Sequence, residues 1–180
     1  MFSRMPPLPP LLPTLSHPEH PPELLLYRLA KLSAASSRVV THLCERRYGI
    51  TRREWGVLMW LAHEPGIQPS VLAERLELDR ARVSRALNSL LTKGLVARTH
   101  NASNRREALL HLTQPGMVLH DELWPQIRAI NVQLLNDLST RDVQALDRAL
   151  QSLQQQALAM ERGPDDNGLY PSRREGSRHV

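Results

Sequence analysis

Residues 72–113 read LAERLELDRARVSRALNSLLTKGLVARTHNASNRREALLHLT. Asp79 is a typical N-cap residue and Gly94 a typical helix stop, so the residues from Arg80 to Lys93 are predicted to form one helix. A shorter helix is predicted just before it, over Pro69 to Leu76, because proline suits a first helical turn. Two short helices joined by a turn of three or four residues are typical of a helix-turn-helix.

The second of these helices has two chemically different faces. Projection at 100° per residue puts apolar residues on one face and small, polar or cationic residues on the other. The apolar face comprises Val83, Ala86, Leu87 and Leu90, and the opposite face comprises Ala81, Arg82, Arg85, Asn88, Ser89 and Thr92. Arginine and asparagine recognise guanine and adenine edges in the major groove. An ordinary amphipathic surface helix is the alternative, but its outer face usually mixes both charge signs.

This pattern predicts a DNA-reading helix. We expect Arg82, Arg85 and Asn88 to face base edges, with phosphate contacts beside them. The full set of predicted contacts on this helix is Arg80, Ala81, Arg82, Ser84, Arg85, Asn88 and Ser89.

A β-hairpin is predicted directly after the helix. The segments 95–99 and 107–112 are β-prone and flank a polar loop, residues 100–106. A hairpin that follows a recognition helix is a wing. The adjacent Arg105 and Arg106 at its tip suit phosphates or a narrow minor groove.

The charge distribution supports a nucleic-acid partner. The chain of 180 residues has 23 cationic and 18 acidic side chains, which gives a formal net charge of +5. Only two of the cations, Lys31 and Lys93, are lysines. Residues 75–106 alone hold eight cations and two carboxylates, a net charge of +6, so the remainder sums to −1. A local excess of arginine favours a surface that binds phosphate.

Long helices flank this region. The spacing predicts helices over Glu23 to Tyr48, from Pro115 to about Leu138 with a kink at Trp124-Pro125, and over Thr140 to Arg162. A shorter helix opens with a capping box of Thr51 and Glu54. The three long helices carry more apolar surface than one winged domain can cover. An intertwined dimer interface resolves this surplus, and an internal three-helix bundle is the alternative.

Composition divides the chain into three zones. Residues 1–22 hold eight of the fourteen prolines and are predicted to be a disordered arm, and residues 163–180 a disordered tail. Residues 23–162 are predicted to form a single domain. Within it, residues 51–113 form the winged helix-turn-helix, and residues 23–48 and 115–162 form the dimerisation helices.

The motifs together resemble the MarR family of winged helix-turn-helix regulators. The matching residues follow one another in order: Ile50-Thr51, Trp55, Val57-Leu58, Leu72-Ala73, Val83-Ser84-Arg85, Lys93-Gly94-Leu95-Val96, Arg98, Leu112-Thr113 and Gly116. The resemblance covers about residues 23–162. It implies a mainly α fold with a small β-hairpin wing and an intertwined dimer. It also implies a homodimer that binds palindromic double-stranded DNA, usually represses, and in many members releases DNA on binding a small phenolic or aromatic carboxylate.

Two positions depart from the family pattern. Asn104 stands where the wing tip usually has aspartate, so an ion pair within the wing is missing. Gln68 stands where serine or threonine usually caps the short helix, which predicts a weaker cap before Pro69.

An effector pocket is expected, by the resemblance, between the dimer helices and the winged domain. The carboxylate of such an effector would need a cationic side chain, and its ring would need polar or aromatic side chains. Five residues of the sequence are candidates for these contacts. They are Arg28, His42, Trp60, His63 and Arg98. Each has a simpler interpretation: Trp60, like Trp55, as a core residue, His63 as a helix-end residue, and Arg28 as a solvated residue at the dimer rim.

Catalytic and metal-binding motifs are not found in the sequence. It has no Gly-rich phosphate loop, no His-Glu-x-x-His, no nucleophile elbow and no paired-cysteine spacing, so we expect neither an enzyme nor a cofactor. The one cysteine, Cys44, indicates a reducing compartment, the cytoplasm, and no run of residues is apolar enough to span a membrane. Two alternatives stay open: a winged-helix protein that binds DNA or a partner without a ligand switch, and a redox sensor that uses Cys44.

Overall fold

The computed structural model describes residues 15–100 and 108–162. A 3₁₀ turn precedes six helices and one hairpin in this part of the chain. The 3₁₀ turn is Pro21–Glu23, followed by α1 Leu25–Tyr48, α2 Arg52–His63, α3 Pro69–Arg75, α4 Arg80–Thr92, β1 Val96–His100, β2 Ala108–Leu112, α5 Gln114–Leu134 and α6 Thr140–Arg162. The predicted mainly α fold with a small β-hairpin is confirmed.

The helix boundaries follow the predicted capping residues. Thr51 accepts a hydrogen bond from the Glu54 backbone N–H, and the Glu54 carboxylate accepts one from the Thr51 N–H, which completes the predicted capping box. Gly49 ends α1 with φ 63°, a left-handed conformation that glycine adopts without steric cost. Gln68 makes no side-chain cap before α3, as the sequence predicts.

Five helix ends differ from the prediction. Helix α3 ends at Arg75, with Leu76 as its C-cap, and α5 begins at Gln114 rather than Pro115. The first helix starts at Leu25 because residues 21–23 form the 3₁₀ turn instead. Lys93 is the C-cap of α4 rather than its last residue. Helix α5 ends at Leu134, four residues before the predicted end, because residues 135–138 form short-range turns ahead of the next helix. Asn136 and Asp137 in this segment favour turns over helix.

The two strands of the hairpin are antiparallel, with Val96 opposite Leu112 and Arg98 opposite Leu110. Ile67, just before α3, extends this sheet by an isolated bridge to Leu110. The Leu110 N–H donates to the Ile67 carbonyl at 3.1 Å. The bridge ties the start of the helix-turn-helix to the middle of β2, a pairing that the sequence does not predict.

Helix α5 starts against the beginning of β1. The Thr113 hydroxyl donates to the Gly94 carbonyl at 2.7 Å and accepts from the Gly116 N–H at 3.2 Å. A Cβ at Gly116 would lie 2.0 Å from the Leu95 carbonyl oxygen. Only glycine therefore allows the helix to approach the backbone this closely.

The described residues divide into two compact units, one ending at Asn131 and the other starting at Val132. The first unit contains the hydrophobic core, which the buried side chains of α2, α3, α4 and the hairpin form around Leu58, Leu72, Leu90 and Leu110. The second unit contains α6, whose apolar stripe includes Leu146, Leu150 and Leu153, each 40–44% exposed. The prediction of a single domain over residues 23–162 stays a prediction.

Candidate nucleic-acid interface and effector cavity

Helices α3 and α4 form a helix-turn-helix whose turn is held by the backbone. Glu77 takes a positive φ of 50°, and the Leu78 N–H donates to the Ala73 carbonyl at 3.1 Å. Asp79 then caps α4, since its carboxylate accepts from the Arg82 N–H at 2.8 Å. These contacts fix the direction in which the second helix leaves the turn.

The two predicted faces of α4 are separated as expected. Val83, Ala86, Leu87 and Leu90 are buried in the core. Six of the seven predicted DNA contacts on this helix are exposed: Arg80, Ala81, Arg82, Ser84, Arg85 and Asn88. Ser89, the seventh, is half-buried and lies near the buried carboxylate of Glu54. The outward face therefore presents exposed arginine and asparagine residues.

One of these arginines has an intramolecular partner. Arg82 Nε lies 2.9 Å from the Asp79 carboxylate, in an ion pair between two side chains that are about half exposed. An exposed pair of this kind contributes little to stability. It orients Arg82 along the first turn of α4.

A buried ion pair links the end of α4 to α2. Glu54 is 2% exposed, and its carboxylate lies 2.8 Å from the Lys93 ammonium. The same ammonium donates to the Gly49 carbonyl at 2.9 Å. Burial alone would raise the pKa of the Glu54 carboxyl, but hydrogen bonds from Lys93, Ser89 and Thr51 outweigh it and lower the pKa. Lys93, counted above in the basic region, thus has a structural role.

The wing is described only at its base. The predicted tip residues Arg105 and Arg106, and Asn104 beside them, lie outside the described residues. Residues 1–14 of the predicted arm, which spans residues 1–22, and the whole predicted tail over residues 163–180 also lie outside them.

A cavity of about 410 Å³ lies between α2 and the first half of α5. It brings together two of the predicted ligand-binding residues, Trp60 and His63, with two residues that the sequence analysis missed, His120 and Trp124. Met59 and Ala62 complete the lining. Two tryptophans and two histidines around one space suit a planar ring with a polar substituent.

Aromatic rings are stacked along one side of this cavity. His120 lies between Trp55 and Trp124, with ring centroids 5.6 and 6.0 Å away and interplanar angles of 17° and 15°. Its Nδ1 is 3.0 Å from the Asp121 carboxylate. Trp60 meets His63 edge-on at 5.8 Å, and the Arg75 guanidinium lies over the Trp60 ring.

The missed pair had a sequence signal. His120 and Trp124 are four residues apart, and Trp60 and His63 are three apart, so each pair shares one helical face. Sequence alone could not place these faces opposite each other.

The remaining predicted ligand residues do not line the cavity. Arg28 is on α1, where its Nε donates to the Pro22 carbonyl at 3.1 Å. His42 is exposed on the same helix, and Arg98 is exposed on β1. Among the described residues, no lysine or arginine lines the cavity, so the predicted guanidinium is not part of its lining. The five predicted ligand-binding residues stay a prediction.

Cys44 is fully buried at the end of α1. Burial raises the pKa of its thiol to about 11, with a smaller contribution from Glu45 and opposition from Arg52. A thiol with so high a pKa carries little of the thiolate that reacts with peroxide, which disfavours the redox-sensing alternative.

Neither a metal-binding cluster nor a membrane-spanning helix is present among the described residues. No three His, Cys, Asp or Glu side chains in residues 15–100 and 108–162 are placed to hold a metal ion. No helix in the described part of the chain is long and apolar enough to cross a membrane.

The helix-turn-helix followed by a β-hairpin defines a winged helix-turn-helix protein. Residues 48–107, which include the winged helix-turn-helix, match the sequence profile of the MarR family. The family resemblance predicted from the sequence is thereby confirmed.

Two relatives share 31% identity with the chain. One is a putative transcriptional regulatory protein for the hcr operon of Thauera aromatica, matched over 91 residues, 51% of this chain and 55% of the relative. The other is the HTH-type transcriptional repressor MdtR of Bacillus subtilis, matched over 97 residues, 54% of this chain and 63% of the relative. The chain thus spans less than two thirds of either relative. Both are named as regulators rather than enzymes.

Two solved structures share the fold. Bordetella bronchiseptica BpsR, whose DNA binding is regulated by 6-hydroxynicotinic acid, has a TM-score of 0.69 and 20% identity over 76% of this chain and 97% of its own. Streptococcus pneumoniae FabT in complex with DNA has a TM-score of 0.66 and 20% identity over 76% of this chain and 96% of its own.

Proposed function

We propose that this protein is a sequence-specific DNA-binding transcriptional regulator of the cytoplasm. The observation that carries the proposal is the outward face of α4, where Arg82, Arg85 and Asn88 are exposed above a fully buried apolar face. Such side chains make bidentate contacts with guanine and adenine. The named relatives that regulate transcription, and the DNA-bound structure of similar fold, support this function.

Arg85 is the sharpest test of base reading. A bidentate base contact is worth about 1–3 kcal/mol, or roughly 5- to 150-fold in affinity. We expect Arg85→Ala to weaken binding to an operator footprinted upstream of the chain's own gene, and to weaken binding to random duplex much less. Arg38→Ala, an exposed arginine of α1 far along the sequence from α4, is the matched control. An equal loss on both DNAs would assign Arg85 to a phosphate and not to a base.

The working form is proposed to be a homodimer that represses from a palindromic operator. Leu26 and Leu32 of α1 are 78% and 59% exposed, and α6 exposes a leucine stripe. Apolar surface of this extent normally marks an interface. A dimer would place two copies of α4 about one helical turn of DNA apart, ~34–36 Å. Sedimentation at working concentrations tests the assembly, and a stable monomer would contradict it.

A small aromatic or phenolic carboxylate is proposed as the effector, bound in the cavity between α2 and α5. The Trp60 and Trp124 rings offer stacking surfaces, and the His63 and His120 imidazoles offer partners for a hydroxyl or carboxylate. The regulation of DNA binding in BpsR by 6-hydroxynicotinic acid, a hydroxylated aromatic acid, supports this class of ligand. For the ligand to release DNA, it must bind the DNA-free protein more tightly than the DNA-bound protein. Bound DNA must then lower the affinity of the protein for the ligand by the same factor by which the ligand lowers the affinity for DNA.

Calorimetry with 6-hydroxynicotinate and 4-hydroxybenzoate, with and without operator DNA, measures this coupling. A typical value is ~1–3 kcal/mol. We expect His120→Ala to abolish ligand binding and to leave DNA binding in the absence of ligand unchanged. His42→Ala, an exposed histidine outside the cavity, is the control. Equal ligand affinity with and without DNA would favour the alternative, a winged-helix protein that binds DNA without a ligand switch.

A further inference from the structure

A groove of about 210 Å³ separates the first turn of α2 from the outward side of α4. Three arginines line it: Arg53 from α2, and Arg82 and Arg85 from α4. The groove therefore continues the predicted DNA-reading face onto a second helix. Arg53 lies well outside the basic segment 75–106 and was not among the predicted contacts.

The charges around this groove do not cancel. Glu54 belongs to its wall, but the Lys93 ammonium neutralises that carboxylate at 2.8 Å. Arg82 is paired with Asp79. Arg53 and Arg85 form no ion pair within the described residues, and both side chains belong to exposed residues. Two guanidinium groups thus face one small groove from opposite helices without a carboxylate to balance them.

We propose that Arg53 binds a phosphate of the DNA backbone in this groove, beside the base edges that Arg85 reads. The inference rests on the proposed DNA-binding function and extends the contact surface from α4 to α2. Guanidinium groups form forked hydrogen bonds to phosphate oxygens, and such contacts set the register of a recognition helix without reading sequence. DNA is favoured over a free anion because the groove shares Arg82 and Arg85, two exposed residues, with the predicted DNA-reading face of α4.

Salt dependence separates a phosphate contact from other roles. Each phosphate neutralised in B-DNA contributes about −0.9 to the slope of log affinity against log salt. We expect Arg53→Ala to reduce the slope on a random 30-base-pair duplex by about 0.9 per bound protomer. The affinity of the Arg53→Ala variant should fall by the same factor for operator DNA and for random DNA. Arg53→Lys should restore the slope, because a lysine also neutralises a phosphate.

Arg52→Ala is the matched control. Arg52 is the neighbouring exposed arginine, does not line the groove, and acts electrostatically on Cys44 of α1. Its removal should leave the slope unchanged. Thermal unfolding of each variant checks that the fold is intact.

The outcomes are distinguishable. If the unmodified chain binds no duplex at 50 mM salt, the proposed function itself fails. If it binds DNA and Arg53→Ala keeps the full slope, the phosphate contact is refuted and the DNA-binding proposal stands. An equal reduction in Arg52→Ala would also refute it, since the effect would then be one of net charge. Calorimetric binding of inorganic phosphate that Arg53→Ala abolishes, with the slope unaffected, would assign the groove to a free anion instead.

Discussion

Lys93→Met tests the buried ion pair between α4 and α2. The substitution keeps the length of the side chain but removes the ammonium that lies 2.8 Å from the Glu54 carboxylate and 2.9 Å from the Gly49 carbonyl. Glu54 would then be a carboxylate without a cation at a position that is 2% exposed. Removing one partner of a fully buried pair costs about 3–5 kcal/mol. The Lys93 side chain is 37% exposed, so we expect a smaller loss, about 2–3 kcal/mol at pH 7.

The pH dependence gives the sharper signature. In the native chain the pKa of Glu54 is lowered on folding, so its contribution to stability is present above the unfolded pKa of about 4.3 and is lost as the pH falls through the lower folded pKa. In Lys93→Met the pKa of Glu54 rises relative to the native chain, because the hydrogen bond from Lys93 no longer counteracts the increase that burial causes. Protonation then relieves the buried charge at a higher pH. The difference in stability between variant and native chain should therefore shrink as the pH falls from 7 to 4.

Urea unfolding at pH 7 and pH 4 measures both effects. Lys31→Met, which removes the chain's other lysine from an exposed position on α1, should change the free energy of unfolding by less than ~0.5 kcal/mol. Adding Glu54→Gln to Lys93→Met removes the unpaired charge and should recover part of the loss at pH 7. If Lys93→Met lowered the free energy of unfolding equally at both pH values, the reasoning would be refuted, because the loss would then not depend on the charge of the Glu54 carboxylate.

Three further predictions concern single positions. Gly116→Ala would place a Cβ 2.0 Å from the Leu95 carbonyl oxygen and should cost about 1–3 kcal/mol in stability, so an unchanged melting temperature would contradict the close approach. Cys44, with a pKa of about 11, should react with iodoacetamide at pH 7 far more slowly in the native chain than in urea, and equal rates would contradict its burial. Glu77→Gly should stabilise the chain by up to ~1 kcal/mol, because glycine adopts the positive φ of 50° without strain; a lower urea midpoint would count against this.

Local signals in the sequence were sufficient for the elements of the winged helix-turn-helix. Asp79 caps α4 and the Thr51 and Glu54 capping box opens α2, because these interactions join residues only three apart along the chain. The buried face of α4 follows from helical periodicity, which is also a local property. The exposed Arg85 and Asn88 could therefore be predicted before any tertiary contact was known.

Contacts between distant segments required the tertiary structure. Lys93 and Glu54 are 39 residues apart, and nothing in their surrounding residues distinguishes a lysine that pairs with a buried carboxylate from one that binds phosphate. The sequence placed Trp60 and His63 on one helical face, but only the packing of α5 on α2 brings His120 and Trp124 to the same cavity. The groove between Arg53 and Arg85 arises in the same way, from the packing of α2 against α4. Periodicity determines which side of a helix is apolar, whereas the partner that covers or faces that side depends on long-range packing of the whole chain.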